Sequence, residues 1–343
     1  MTTTNAARAE FSADVPLAGG GTAGDLPPGI SPWRLAGRRL RRNKVALFFG
    51  ALFLVIVLMC LLAPVYSSQI AHAGLAEQFL DKPVKIGGKS EYVLSTTGIP
   101  IGPTWHGRFF LGADGTGRDT AVRLLYGGRN SLEVGFIAMI ITMLFGVFFG
   151  VLAGYLRGLS DGFIRFWLDV LWAFPAVLLG VALGVSLAIG GLGPLKGNSL
   201  FVPAFVIGIV YIPYVAKPVR GQVLGLRERE YIDAARQQGL SDARIMFSEI
   251  LPNLASTIVV FLPLILANAI LLEAGLSYLG AGVQPPNPSW GTMISDGVAS
   301  IPAAFHNVLV PGIMLVLCVM SINIFGDGLR DALDPRAKVR IAR

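Results

Sequence analysis

Tyr231-Ile232-Asp233-Ala234-Ala235-Arg236-Gln237-Gln238-Gly239-Leu240-Ser241-Asp242-Ala243-Arg244, followed by Ile245 to Glu249 and then Ile250-Leu251-Pro252-Asn253, is a polar stretch set between two long apolar ones. Locally it reads as helix, glycine break, helix. Gly239 suits the left-handed residue that ends a helix, and Ser241 or Asp242 suits the N-cap of the next. On the first helix Tyr231, Ala234 and Ala235 fall at i, i+3 and i+4, which is one face. Two alanines beside a glycine make that face slim enough to enter a groove on another protein. Pro252 marks where the chain leaves the second short helix. Such a pair of helices also suggests DNA, but residues 217–253 hold six basic side chains against five acidic ones, Glu228, Glu230, Asp233, Asp242 and Glu249. They lack the positive surplus that phosphate binding needs, so no nucleic acid is expected as a partner.

Outward from this loop the chain is dominated by apolar runs. Of 343 residues 53% are hydrophobic and only 14% charged, against about 25% charged in a soluble domain. Too little charge remains to solvate a surface of this size. The 42 glycines agree, because glycine is commoner where membrane helices approach closely. A spanning helix needs about 20 apolar residues. Six runs meet that length or come near it: 45–63, 131–155, 166–190, 200–216, 254–280 and 307–326. The fourth is the shortest and carries Pro203 and Pro213, which a span tolerates when neighbours satisfy the freed carbonyls. The first run follows a long tail and exceeds a signal peptide's apolar core of about 7–15 residues, so it is read as a retained anchor. The expected fold is all-α, with six transmembrane helices.

The basic residues set the orientation. None of the 28 Lys and Arg falls inside those six runs. With the amino terminus in the cytoplasm, seven lie in residues 1–44, two follow Tyr155, six lie in 217–253 and five in the carboxyl tail. The two short outer loops hold one, Lys196. The other seven sit in 64–130, a segment too long for the positive-inside rule to read. Both termini are therefore expected in the cytoplasm of a multi-pass protein of the cell membrane. The cluster Arg38, Arg39, Arg41, Arg42 and Lys44 sits where anionic headgroups would meet the first span, at about 1 kcal/mol per charge. Residues 1–30, rich in Gly, Ala, Thr and Pro without periodicity, read as disordered. The expected organisation is a basic tail over 1–44, a first span over 45–63 and an external segment over 64–130. A five-helix core over 131–326, carrying the loop 217–253, and a cytoplasmic tail over 327–343 complete it.

Little in the chain suggests chemistry of its own. The nearest phosphate-loop string, Gly88-Lys89-Ser90, has Pro83 where the first glycine belongs. Gly115 and Gly117 lack a third glycine, so no dinucleotide site is expected. His72, His106 and His306 lie in external segments without a helical partner and read as surface histidines; no metal or cofactor is expected. Cys60 and Cys318 lie in apolar runs and read as buried thiols. Two carboxylates do fall within spans, Asp169 and Glu273, where an acid costs about 2.5–3.5 kcal/mol on insertion scales. Either they make helix–helix hydrogen bonds or they line a translocation pathway. Asp169 lies one turn from Arg165, an expected pair.

The loop resembles the EAA loop of ABC-importer permeases, with Asp233-Ala234-Ala235 for Glu-Ala-Ala, Gly239 four residues after the second alanine, and the Ile-Leu-Pro-Asn ending. Three further segments are similar to the peptide and nickel branch of that family. They are Leu111 to Asp119 (LGADGTGRD) with Leu124-Leu125-Tyr126-Gly127, Gly282 to Gly291 (GVQPPNPSWG), and Gly326 to Pro335 (GDGLRDALDP). The resemblance runs from about Trp33 to the end and is nearest to the C-type permease of dipeptide and oligopeptide importers. The chain departs from that pattern in a longer segment before Leu111 and in Phe109-Phe110 where His-Pro is usual. The resemblance implies the type I importer fold and peptide import, with nickel or another small solute as the alternative. It also implies a second homologous permease, two cytoplasmic ATPase subunits and an external substrate-binding protein, with no ATPase site in this chain. Tyr231, Asp233, Ala234, Ala235, Gly239, Leu251 and Pro252 would form the loop that couples to the ATPases. A secondary transporter could share six spans, but nothing in that class calls for such a loop.

Overall fold

The computed structural model describes residues 32–80, 83–191 and 199–333. The expected disorder of 1–30, the position of Lys196 and most of the carboxyl tail fall outside them. A basic helix, Pro32–Arg42 (α1), leads through Asn43 into Lys44–Leu61 (α2), whose first turn Asn43 caps by accepting the Ala46 amide at 3.0 Å. Ala63–Val65 (α3) and a wide helical turn, Tyr66–Ala71, prolong it. After a hairpin of Val84–Ile86 (β1) and Lys89–Glu91 (β2) come Thr120–Leu156 (α4), Leu159–Ala173 (α5) and Ala176–Gly190 (α6). Then follow Phe201–Val210 (α7), Ile212–Leu226 (α8), Glu230–Gln237 (α9), Asp242–Ile245 (α10) and Leu251–Tyr278 (α11). Trp290–Val298 (α12) and His306–Leu333 (α13) complete the described chain.

Among the described residues five helices are long and apolar enough to cross a bilayer, and α5 with α6 would make a sixth. That pair is bent by 93° where Phe174 turns extended before Pro175, because a residue preceding proline is pushed out of the helical region. The third span expected over 166–190 therefore lies on this bent pair, Leu159–Ala173 and Ala176–Gly190. The fourth is corrected, since the helical rod runs over 26 residues to Leu226 and carries Lys217 and Arg220. Those charges are tolerated because each is paired across to α5: Arg220 grips Asp161 with two bonds of 2.7 Å, and Lys217 meets Asp169 at 2.8 Å. Finally, α4 starts at Thr120, eleven residues before the expected boundary at 131. The buried Asp119 starts it, accepting the Ala121 and Val122 amides at 2.9 and 3.1 Å.

Small residues hold the bundle together. Gly146, Gly150 and Gly154 recur every fourth residue along α4, and a β-carbon on each would come within 2.6–2.7 Å of Val215, Ala216 and Val223 on α8. No larger residue fits, so the two helices interlock at backbone distance. Gly50 on α2 receives the Phe325 ring of α13 in the same way. Cys60 and Cys318 are buried free thiols beside Trp290 in the packing of α2, α4, α12 and α13.

The segment before α4 is a small folded cap. Gly87 and Gly88, both at positive φ, make the two-residue turn of an antiparallel hairpin, a small strand pair in an otherwise helical chain. Phe109 is fully buried and meets Phe79 edge to face at 5.5 Å. Asp114 closes the glycine-rich loop by accepting from the Thr116 and Arg118 amides. Its other oxygen meets Arg118 at 2.7 Å and Arg123 at 3.3 Å, and Arg123 continues to Asp296 on α12. Burial pushes the Asp114 carboxyl up, but the Arg118 amide and the two guanidinium charges outweigh it and hold the group below its usual range. His306 is partly buried with Nε2 unpartnered, so it is not the surface histidine expected.

Candidate functional site

The loop of residues 227–253 folds as a compact knuckle at one end of the bundle. Helix α9 ends where expected. Gly239 has φ +78°, its amide donates to the Arg236 carbonyl at 2.9 Å, and the Leu240 amide reaches back to Ala235 at 3.2 Å. These two bonds are the Schellman closure that a left-handed glycine permits. Ser241 holds the next N-cap position without a side-chain bond. The second short helix is not cut at Pro252. A wide turn over Met246–Ile250 carries α10 into α11, so one helical rod runs over Asp242–Tyr278. Pro252 sits in the first turn of α11, where a missing amide costs least.

The two alanines part company. Ala234 and Tyr231 are exposed, as are Asp233 and Gln237, whereas Ala235 retains 7% exposure and Ile232 none. Ile232 and Ala235 lie three apart on the inner stripe and pack with Val219, Val223, Ile245, Ile250 and Leu254. The slim face expected to carry both alanines therefore carries Ala234 and Tyr231, and Ala235 is a core residue of this chain. Leu251 is partly buried, and Pro252 is exposed.

A clasp invisible to the sequence reading joins this knuckle to α4. The hydroxyl of Tyr155, the penultimate residue of α4, donates to Asp242 at 2.7 Å. The guanidinium groups of Arg236 and Arg227 lie 5.6 and 5.9 Å from its ring centroid, within cation–π range. Arg227 also donates to the Tyr155 carbonyl, and Arg157 pairs with Glu228. Burial pushes the Arg227 guanidinium down and the Tyr155 hydrogen bond pushes that of Arg236 up; both stay charged at physiological pH. The only sequence signal was a tyrosine ending an apolar run just ahead of Arg157.

The two spans' carboxylates have different surroundings. Asp169 is more than half exposed, and its partner is Lys217 rather than the expected Arg165. Glu273 has no exposed surface. Ser277 donates to its Oε1 at 2.6 Å, the Ser131 and Ser289 hydroxyls lie beside the carboxyl, and Oε2 has no bonded partner. Ser131 and Ser289 also accept the Trp290 and Thr292 amides. This cluster ties α4, α11 and the start of α12, and in this conformation it offers a solute no surface. Among the described residues no group of three His, Cys, Asp or Glu is placed to hold a metal.

A bundle of membrane-length helices with this exposed knuckle defines the permease component of a type I ABC importer. The chain belongs to the family described as binding-protein-dependent transport system inner membrane component, which matches residues 146–339. Residues 31–80 match the N-terminal TM domain of oligopeptide transport permease C. The dipeptide transport system permease protein DppC of Alkalihalophilus pseudofirmus is 37% identical over 309 residues, covering 90% of this chain and 91% of that one. The glutathione transport system permease protein GsiD of Salmonella typhimurium is 39% identical over 308 residues, covering 90% and 92%. In fold the chain is similar to an inward-facing MetNI methionine ABC transporter, with a TM-score of 0.52, 18% identity, and 62% of this chain and 96% of that one covered. Family membership implies ATPase and substrate-binding-protein partners.

Proposed function

We propose that this chain is the C-type permease of a peptide importer. It pairs with a second homologous permease, receives peptide from an external binding protein and is driven by two cytoplasmic ATPases, with no ATPase site of its own. Both termini and the 227–253 knuckle face the cytoplasm, in keeping with the basic residues gathered there. The observation that carries the reading is the two-sided build of α9. Tyr231, Asp233 and Ala234 face outward for an ATPase groove, while Ile232 and Ala235 root the helix in the bundle. Motion of the ATPases then reaches α11 directly and α4 through Tyr155. A nucleotide drives such a change only through its different affinity for the two states.

Peptides are favoured over nickel because the relatives named above are dipeptide and glutathione permeases. The test is ATP-dependent uptake of a radiolabelled dipeptide by the complex in proteoliposomes, with nickel as competitor. Uptake that nickel does not reduce supports the reading; nickel uptake without peptide uptake overturns it.

A further inference from the structure

Helix α8 has an open face unlike the others. Tyr214, Pro218, Gly221 and Gly225 form one exposed stripe, with Gln222 beside it. The exposed stripe of α4, by contrast, is Phe136, Ile140, Leu144 and Phe148. Hydrocarbon suits the second stripe. The first has little apolar bulk below Tyr214, carries the Gln222 amide at its side, and a β-carbon at Gly221 or Gly225 would meet nothing within 4 Å. Polarity continues across to α11, where Thr257 donates to Gln222 at 2.8 Å. Both residues line an open cleft of about 640 Å³ together with Ser256 and Arg330.

On the border of this face lies a charged, aromatic cluster. Lys217 Nζ meets Asp169 at 2.8 Å and stands 4.6 Å from the centroid of the Trp172 ring. Trp172 in turn lies 4.3 Å from the ring of Tyr214. The side chains of Lys217 and Asp169 are 34% and 58% exposed. Lys217 stands about 13 Å of helix rise short of Leu226, inside the segment long enough to span. A half-open ion pair at that depth would be costly against lipid; such residues face water-filled cavities. The pair is also self-satisfied. A ligand can trade one partner for another without leaving a lone charge behind, so holding is weak and release easy.

We propose that Lys217 and Asp169 form a station on the translocation pathway that reads the two ends of a passing peptide. Lys217 exchanges Asp169 for the peptide's terminal carboxylate, Asp169 meets the terminal ammonium, and Trp172 with Tyr214 gives the peptide a flat apolar rest. This rests on the peptide-import reading. It assigns selectivity for free termini to the permease in addition to the binding protein.

The test compares uptake of radiolabelled dialanine with that of its C-terminal amide, using the purified four-subunit complex and binding protein in proteoliposomes. Because the same binding protein serves every arm, a changed acid-to-amide ratio reports on the permease. Lys217→Met, and Lys217→Gln as a second neutral variant, should lower that ratio about tenfold, the loss of one charge-assisted hydrogen bond. Lys217→Arg should keep most of it. An unchanged ratio in both neutral variants overturns the station and leaves peptide import standing. A wild-type complex that takes up neither compound overturns peptide import and the station together.

Discussion

Introducing glutamate separately at Ala234 and Ala235 separates docking from folding. Ala235 packs with Ile232, Val223 and Ile250. A glutamate there buries a carboxylate, at about 3–5 kcal/mol for an uncompensated charge, against a whole-domain stability of about 5–15 kcal/mol. Ala234 points outward, where substitutions stay within about 0.5 kcal/mol, but its new charge would stand in the surface offered to the ATPase. Ala234→Glu should therefore give a normally inserted, normally stable permease that loses ATPase subunits on affinity purification and loses transport with them. Ala235→Glu should lower the yield and melting temperature of the permease itself, with or without the ATPases present. The assays are detergent-solubilised yield and melting temperature, then ATPase co-purification. If Ala235→Glu is as stable as wild type and only docking fails, the inward assignment of Ala235 is wrong.

Three further outcomes follow from the same geometry. Tyr155→Phe removes the bond to Asp242, about 0.5–1.5 kcal/mol, but keeps the ring between Arg227 and Arg236; peptide taken up per ATP hydrolysed should fall while the ATPases remain bound. At Gly239, Asn tolerates the left-handed backbone and should be mild, whereas Val should lower coupling through strain alone, since nothing lies near that α-carbon; equal effects of the two would refute this. The depressed Asp114 carboxyl contributes stability that is complete above its unfolded value of about 3.9 and is lost as pH falls through the lower folded value. Hydrogen exchange of residues 111–119 should thus rise only below about pH 4, and Asp114→Asn should abolish that acid step.

The apolar runs betrayed the bundle because length and composition decide what can cross a bilayer, and the loop's glycine announced its own left-handed turn. What escaped depended on partners distant in sequence. Periodicity alone put Ala234 and Ala235 on one face, yet only the packing of Val219 and Leu254 shows which alanine is inside. Asp169 had a plausible partner in Arg165, but Lys217, from another helix, is the one within reach. The missed hairpin was legible in Gly87-Gly88, a two-residue turn flanked by short strands. The early start of α4 was marked only by Asp119, whose capping role depends on the Phe109 amide it also accepts at 2.6 Å.

The unbroken helix from Asp242 to Tyr278 makes the membrane crossing a see-saw. Thirty-seven residues give a rod of about 55 Å, with the 227–253 knuckle at one end and the Glu273–Ser277 cluster near the other. Tilting it by about 5° around its middle would shift each end by about 2.4 Å in opposite directions. An inward pull at the knuckle then arrives at the far face as an outward push. Opening one mouth while closing the other would then need only a fulcrum, and the glycine-lined contact between α4 and α8 supplies a close-packed neighbour for it to turn against.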